Sequence, residues 1–291
     1  ADATFEGTVR DFEGTLHGVR LGQSSSVEAT FHITGLPEWR TSRYTFGIKD
    51  LRTTPTDLLT ISDNILQEPL PASVRDIVER TEWIDRRATV GGRLTSLRAV
   101  GNIVTGVGAI SADVTVAQQR DKRYSLNGHV QSGELDLGQL LSVKQLQRLD
   151  ARLNLSGSLG DKASGGIIGD VDVNIERVGV LGHDYSSIEA LGRLSGEHYY
   201  AEATSYDDNL LFSLFAEADI NEEMPRYGIS LDLERADLHA IGINRRDSVS
   251  ILSANIGVEA FGHSIEEMDG EASVANVRYE YPAGELLTDR I

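Results

Sequence analysis

Apolar and polar residues alternate one for one in run after run of this chain. Val27, Ala29, Phe31 and Ile33 interleave with Glu28, Thr30 and His32. The same grammar sets Val114 and Val116 against Asp113 and Thr115, and Val171, Val173 and Ile175 against Asp170, Asp172 and Asn174. It continues in Phe212, Leu214 and Ala216, in Ile229, Leu231 and Leu233, and in Leu252, Ile256 and Val258. A period of two is the repeat of a β-strand, whose successive side chains point to opposite faces. Each run therefore predicts a strand with one oily face and one wet face. Short polar turns such as Asp207-Asp-Asn209 lie between the runs, which suits antiparallel hairpins and leaves no room for crossover helices. The expected class is all-β, an extended, repetitive antiparallel sheet.

Three passages share one order of landmarks: an alternating strand, a polar turn, an Arg-Tyr pair, a second strand and a short Asp-led apolar end. They run from Val27 through Arg43-Tyr44 to Asp57-Leu-Leu59, from Ala112 through Arg123-Tyr124 to Asp136-Leu-Gly-Gln-Leu140, and from Phe212 through Arg226-Tyr227 to Asp237-Leu-His-Ala-Ile241. A recurring unit marks an architecture that propagates by stacking neighbours instead of closing round a single core. Residues 1–291 are accordingly expected to form one elongated repeat segment of a larger protein, with units near 27–61, 112–141 and 212–243. Helix is expected only as short insertions. One occupies about 72–86, capped by Ser73 and carrying Val74, Ile77, Val78 and Ile84 on one face; a shorter one lies around Val143 to Leu149.

Chemistry-bearing patterns are sparse. The seven histidines are scattered without a zinc-ligand spacing, and the chain has no cysteine. Asp170-Val-Asp-Val-Asn174 imitates the start of a calcium loop, but Ile175 stands where the turn needs glycine and Leu181 where a bidentate Glu belongs. No nucleophile elbow or phosphate loop is present. No catalytic, metal-binding or cofactor-binding residue is therefore expected, and the chain is read as a non-enzyme. A formal charge of -18 works against phosphate backbones, so nucleic acid is not an expected partner. No run approaches the roughly 18 apolar residues of a membrane helix.

Several short phrases resemble TamB-type proteins of the translocation and assembly module, within the AsmA-like group and in its Bacteroidetes-like form. They are Leu70-Pro-Ala-Ser-Val-Arg-Asp-Ile77, Gly92-Arg-Leu-Thr-Ser-Leu97, Arg123-Tyr-Ser-Leu126, Leu135-Asp-Leu-Gly-Gln-Leu-Leu141, Val180-Leu-Gly-His-Asp-Tyr185, Asp207-Asp-Asn-Leu210, Ala236-Asp-Leu238 and Leu252-Ser-Ala-Asn255. The resemblance implies a sheet curved into an open trough in a periplasmic protein of a Gram-negative bacterium, anchored at the inner membrane. It implies a hydrophobic groove for phospholipid acyl chains moving between inner and outer membranes, support of outer-membrane protein assembly, and an outer-membrane barrel partner of the TamA type. No cofactor is implied. The groove lining would be Val27, Ala29, Phe31, Ile33, Val114, Val116, Val171, Val173, Ile175, Phe212, Leu214, Ala216, Ile229, Leu231, Leu233, Leu252, Ile256 and Val258. The alternative is an adhesin-like or autotransporter-like β-solenoid that acts by surface binding. A transmembrane barrel would want aromatic girdles, which a 6% aromatic content does not supply.

Overall fold

A computed structural model of the chain describes residues 2–21, 24–65, 72–119, 123–159, 167–220, 224–263 and 268–290. It is all-β, an open antiparallel meander, and it divides into two compact units, Ala1–Lys144 and Gln145–Ile291. The first unit holds β1 (Asp2–Thr8), β2 (Asp11–Leu21), β3 (Ser25–Thr34), β4 (Arg43–Thr53), the helices α1 (Pro55–Ile65) and α2 (Ala72–Glu79), β5 (Ile84–Arg93), β6 (Ser96–Thr105), β7 (Gly108–Gln118), β8 (Tyr124–Asp136) and the single-turn α3 (Leu137–Leu141). The second holds β9 (Leu146–Leu159), β10 (Ile167–Val180), β11 (His183–Ser195), β12 (His198–Asp207), β13 (Leu210–Asp219), β14 (Arg226–Asp237), β15 (Ile251–Phe261), β16 (Asp269–Tyr281) and β17 (Gly284–Arg290).

Within each unit every ladder joins sequence neighbours, from β1–β2 to β7–β8 and from β9–β10 to β16–β17. The alternation explains this. A strand with one apolar face can extend the sheet only by laying its own apolar residues beside its neighbour's, and a short turn makes the preceding strand the nearest candidate.

In each unit the buried aliphatic and aromatic side chains among the described residues, proline aside, gather at one rim. In the first these are Leu51, Leu59, Ile84, Val107, Leu135 and Leu140, where β4, β6 and β8 end. In the second they are Tyr185, Leu233, Ala236, Ile241 and Ala254, where β12 and β14 end. The helices and the 238–250 loop lie at these rims, and polar networks fasten them. The Asp57 carboxylate on α1 accepts from the Ser25 hydroxyl at 2.6 Å and the Ser24 amide at 3.0 Å. Arg75 on α2 pairs with Asp63 on α1 at 2.6 Å. Arg80, just after α2, donates to the Leu140 carbonyl at 2.7 Å. In the second unit Asp207 accepts from the Ser186 amide at 2.9 Å, and the Asn244 side-chain amide donates to the Ser250 and Tyr279 hydroxyls.

The same rims carry the irregularities of the ladders. Register shifts fall between Leu16 and Val19, Ile48 and Leu51, Val178 and Val180, and Leu233 and Ala236. Left-handed residues sit inside the strands nearby, at Gly18, Glu134, Ser187 and Asn276. Each bulge bends its strand and tightens the twist locally.

The helices differ from expectation in three ways. α2 stops at Glu79, not 86: the Arg80 and Thr81 amides close the last turn on Ile77 and Val78, Glu82 turns the chain at φ 61, and Ile84 enters the sheet opposite Thr53 and Thr105. Ser73 lies inside α2, one residue past its start, so it is not the cap; its side chain and that of Val74 lie outside the described residues. No helix forms over 143–149, because Leu146 and Leu149 pair with Val180 and Val178. Two helices were not foreseen. Pro55 opens α1 behind Thr54, whose hydroxyl accepts from the Asp57 amide at 3.3 Å. Asp136 caps α3 by accepting from the Gln139 amide at 2.9 Å.

Candidate functional site, an apolar sheet face

Directly opposed residues of an antiparallel pair share a face, so the ladders assign faces without ambiguity. In the first unit Gly14, Phe31, Phe46, Val90, Ala99, Val114 and Gly128 form one row across β2 to β8. Its neighbours are equally apolar: Leu16, Ala29, Ile48, Ala88, Gly101, Ala112 and Val130 on one side, and Phe12, Ile33, Tyr44, Gly92, Leu97, Val116 and Leu126 on the other. Phe5 and Phe12 lie 5.7 and 6.0 Å from the Phe31 ring. Gly14 is required beneath it, since a Cβ there would collide with that ring.

The second unit repeats the pattern. Leu153, Val173, Ala190, Ala203, Leu214, Leu231, Ile256 and Val274 form an unbroken apolar row across β9 to β16. Beside it run Leu155, Val171, Gly192, Ala201, Ala216, Ile229, Val258 and Ala272. Ile175, Ile188, Ser205, Phe212, Leu233 and Ala254 form a third row toward the rim, with Leu252 beyond Ala254 on the same strand face. All eighteen residues expected to line a groove thus lie on the apolar face of their own unit.

These rows are not sealed. Phe46 is 46% exposed and Ile229 44%, and Phe31, Val114, Leu214, Leu231 and Ile256 are half-buried. Of the eighteen, only Leu233, next to the rim, is buried. The opposite faces are polar and pair their charges. Arg98 on β6 holds Asp113 on β7 at 2.7 Å, which keeps the carboxyl below its ordinary pKa, and Arg193 on β11 reaches Asp170 on β10 at 2.8 Å. Phe215 is an apolar exception on the polar face, its ring 5.2 Å from Tyr200.

Periodicity missed part of the face. Phe46, Val90 and Ala99 lie in strands interrupted by Gly47, Gly91 and Gly101, which hide the alternation. Arg86 was missed as well. It stands opposite Leu51 and Ile103 on the apolar side of β5, between Ile84 and Ala88, a charged residue among apolar neighbours. The signal was available: an arginine at an apolar-parity position of the run Ile84, Arg86, Ala88, Val90.

Among the described residues, no three or more His, Asp or Glu side chains converge as metal ligands would, and no helix is long and apolar enough to cross a membrane. No protein-family model, curated protein or solved structure matches the chain.

Proposed function

We propose that the apolar face carries phospholipid acyl chains, making the chain a periplasmic structural and transport segment of a TamB-like envelope protein. In that role it offers lipid a hydrophobic path between inner and outer membranes and supports outer-membrane protein assembly. The observation that supports this is the set of apolar rows running across seven or eight strands and left part-exposed. Contiguous exposed apolar surface beyond a few hundred Å² marks an interaction site. Each Å² covered by an acyl chain returns about 25 cal/mol. A lining shared by many equivalent residues suits a ligand that slides, because no single position holds it. The inner-membrane anchor and the TamA-type barrel partner belong to the same proposal and rest on the sequence resemblance. The ladders do not support the solenoid alternative: every pairing among the described residues is antiparallel, whereas β-helix coils stack in parallel.

A photo-crosslinking residue at Leu214 or Leu231 should capture phospholipid, and one at Phe215 or Ser230, on the polar face of the same strands, should not. Equal capture on both faces, or none on either, would remove the proposal.

A further inference from the structure

Arg86 puts a charge on the apolar face of the first unit. Among the described residues its buried Nε has no hydrogen-bond partner and no carboxylate acts on it, and burial pulls its pKa below the ordinary arginine range. This happens in a chain with 45 acidic against 27 basic residues, in which Arg75, Arg98, Arg177 and Arg193 each hold an aspartate. A half-buried guanidinium whose Nε has no partner is costly, and a well-packed apolar residue of similar size would serve the fold better. A ligand that supplies the missing anion would account for it.

We propose that Arg86 receives the phosphate of a phospholipid whose acyl chains lie on the apolar rows of the first unit. The guanidinium is a planar fork that matches phosphate oxygens two at a time. Its position suits an amphiphile. On the rim side stands buried Ile84; toward the other rim run Ala88, Val90 and Gly92, with Phe46 and Leu97 beside them. The six residue steps of strand from Arg86 to Gly92 extend about 20 Å. Half the hydrocarbon core of a bilayer is about 15 Å, so one acyl chain fits along the strand with its phosphate at Arg86. The proposal rests on the lipid-bearing reading of this face and adds a fixed station to an otherwise uniform lining.

The test uses the full chain with Arg86→Gln and Arg86→Lys. Binding is measured for fluorescent phosphatidylglycerol, for diacylglycerol with the same tails, and for inorganic phosphate. Wild type should bind phosphatidylglycerol tenfold or more tighter than diacylglycerol; Arg86→Gln should lose that factor and leave diacylglycerol unchanged; Arg86→Lys should fall between. Lipid-free Arg86→Gln should melt at or above the wild-type temperature, since it removes a half-buried guanidinium whose Nε has no partner among the described residues. Undiminished phosphatidylglycerol binding by Arg86→Gln overturns the Arg86 station while sparing the lipid-bearing face. A lowered melting temperature with loss of both lipids makes the residue structural and overturns it too. Arg86-dependent binding of inorganic phosphate as tight as that of the lipid replaces the headgroup with a free anion. Failure of wild type to bind either lipid overturns both proposals.

Discussion

Ser187 sits inside β11 with φ 54, a conformation in which an L side chain crowds the following carbonyl at a cost of about 1–2 kcal/mol. It is exposed, and what the position demands is the left-handed backbone. Replacing it with glycine should stabilise the protein by about 0.5–1 kcal/mol, the relief of strain exceeding glycine's extra chain entropy. Ser187→Val should cost more than 1 kcal/mol. Urea midpoints with an unchanged slope would show both. Ser187, Glu134 and Asn276 also explain why the left-handed positions were hard to foresee. Glycine at such positions, as at Gly18, is a visible marker, whereas three ordinary residues held left-handed by the surrounding ladders leave no local trace.

At the scale of elements, the bulges account for the misplaced helix. Leu146 and Leu149 stand three residues apart and share a face because β9 has one more residue than β10 between Val178 and Val180. Three-residue spacing is also how a helix aligns its apolar side, so the bulged strand end imitates a helical period. Leu233 and Ala236, and Ile48 and Leu51, repeat the spacing beside the same kind of shift. The strands and their apolar faces were legible because period two needs no tertiary knowledge. α1 was obscured because its apolar residues are less sharply gathered on one face than those of α2; what holds it is the Thr54 cap and the reach of Asp57 back to β3. Removing that reach in Asp57→Ala strands the Ser25 hydroxyl with only Thr53 and frees the Ser24 amide. A loss of about 2–3 kcal/mol in chemical denaturation is expected, while Asp57→Asn, which keeps an acceptor, should lose less.

At the scale of the whole molecule, holding the fold and offering a surface fall to different residues. A closed barrel or sandwich uses its inward apolar face as the core, so truncating any central residue there leaves a cavity. Here the sealed side chains stand at the rims, while the sheet centre contributes mainly its ladders and leaves its apolar side partly wet. Two isoleucines of the second unit separate the alternatives. Ile241, in the turn after β14, is 3% exposed; Ile229, in the first half of β14 and flanked by Ala216 and Val258, is 44% exposed. Ile241→Ala should cost about 2–4 kcal/mol, as a core truncation does. Ile229→Ala removes the same atoms from a surface that water already reaches, and should cost no more than about 1 kcal/mol, mostly lost strand preference. Lipid capture should respond in the opposite order, weakened by Ile229→Ala and unaffected by Ile241→Ala under conditions where both stay folded. Equal stability losses at the two positions would mean that the apolar face is a sealed core, and a sealed core has no room for a lipid to slide.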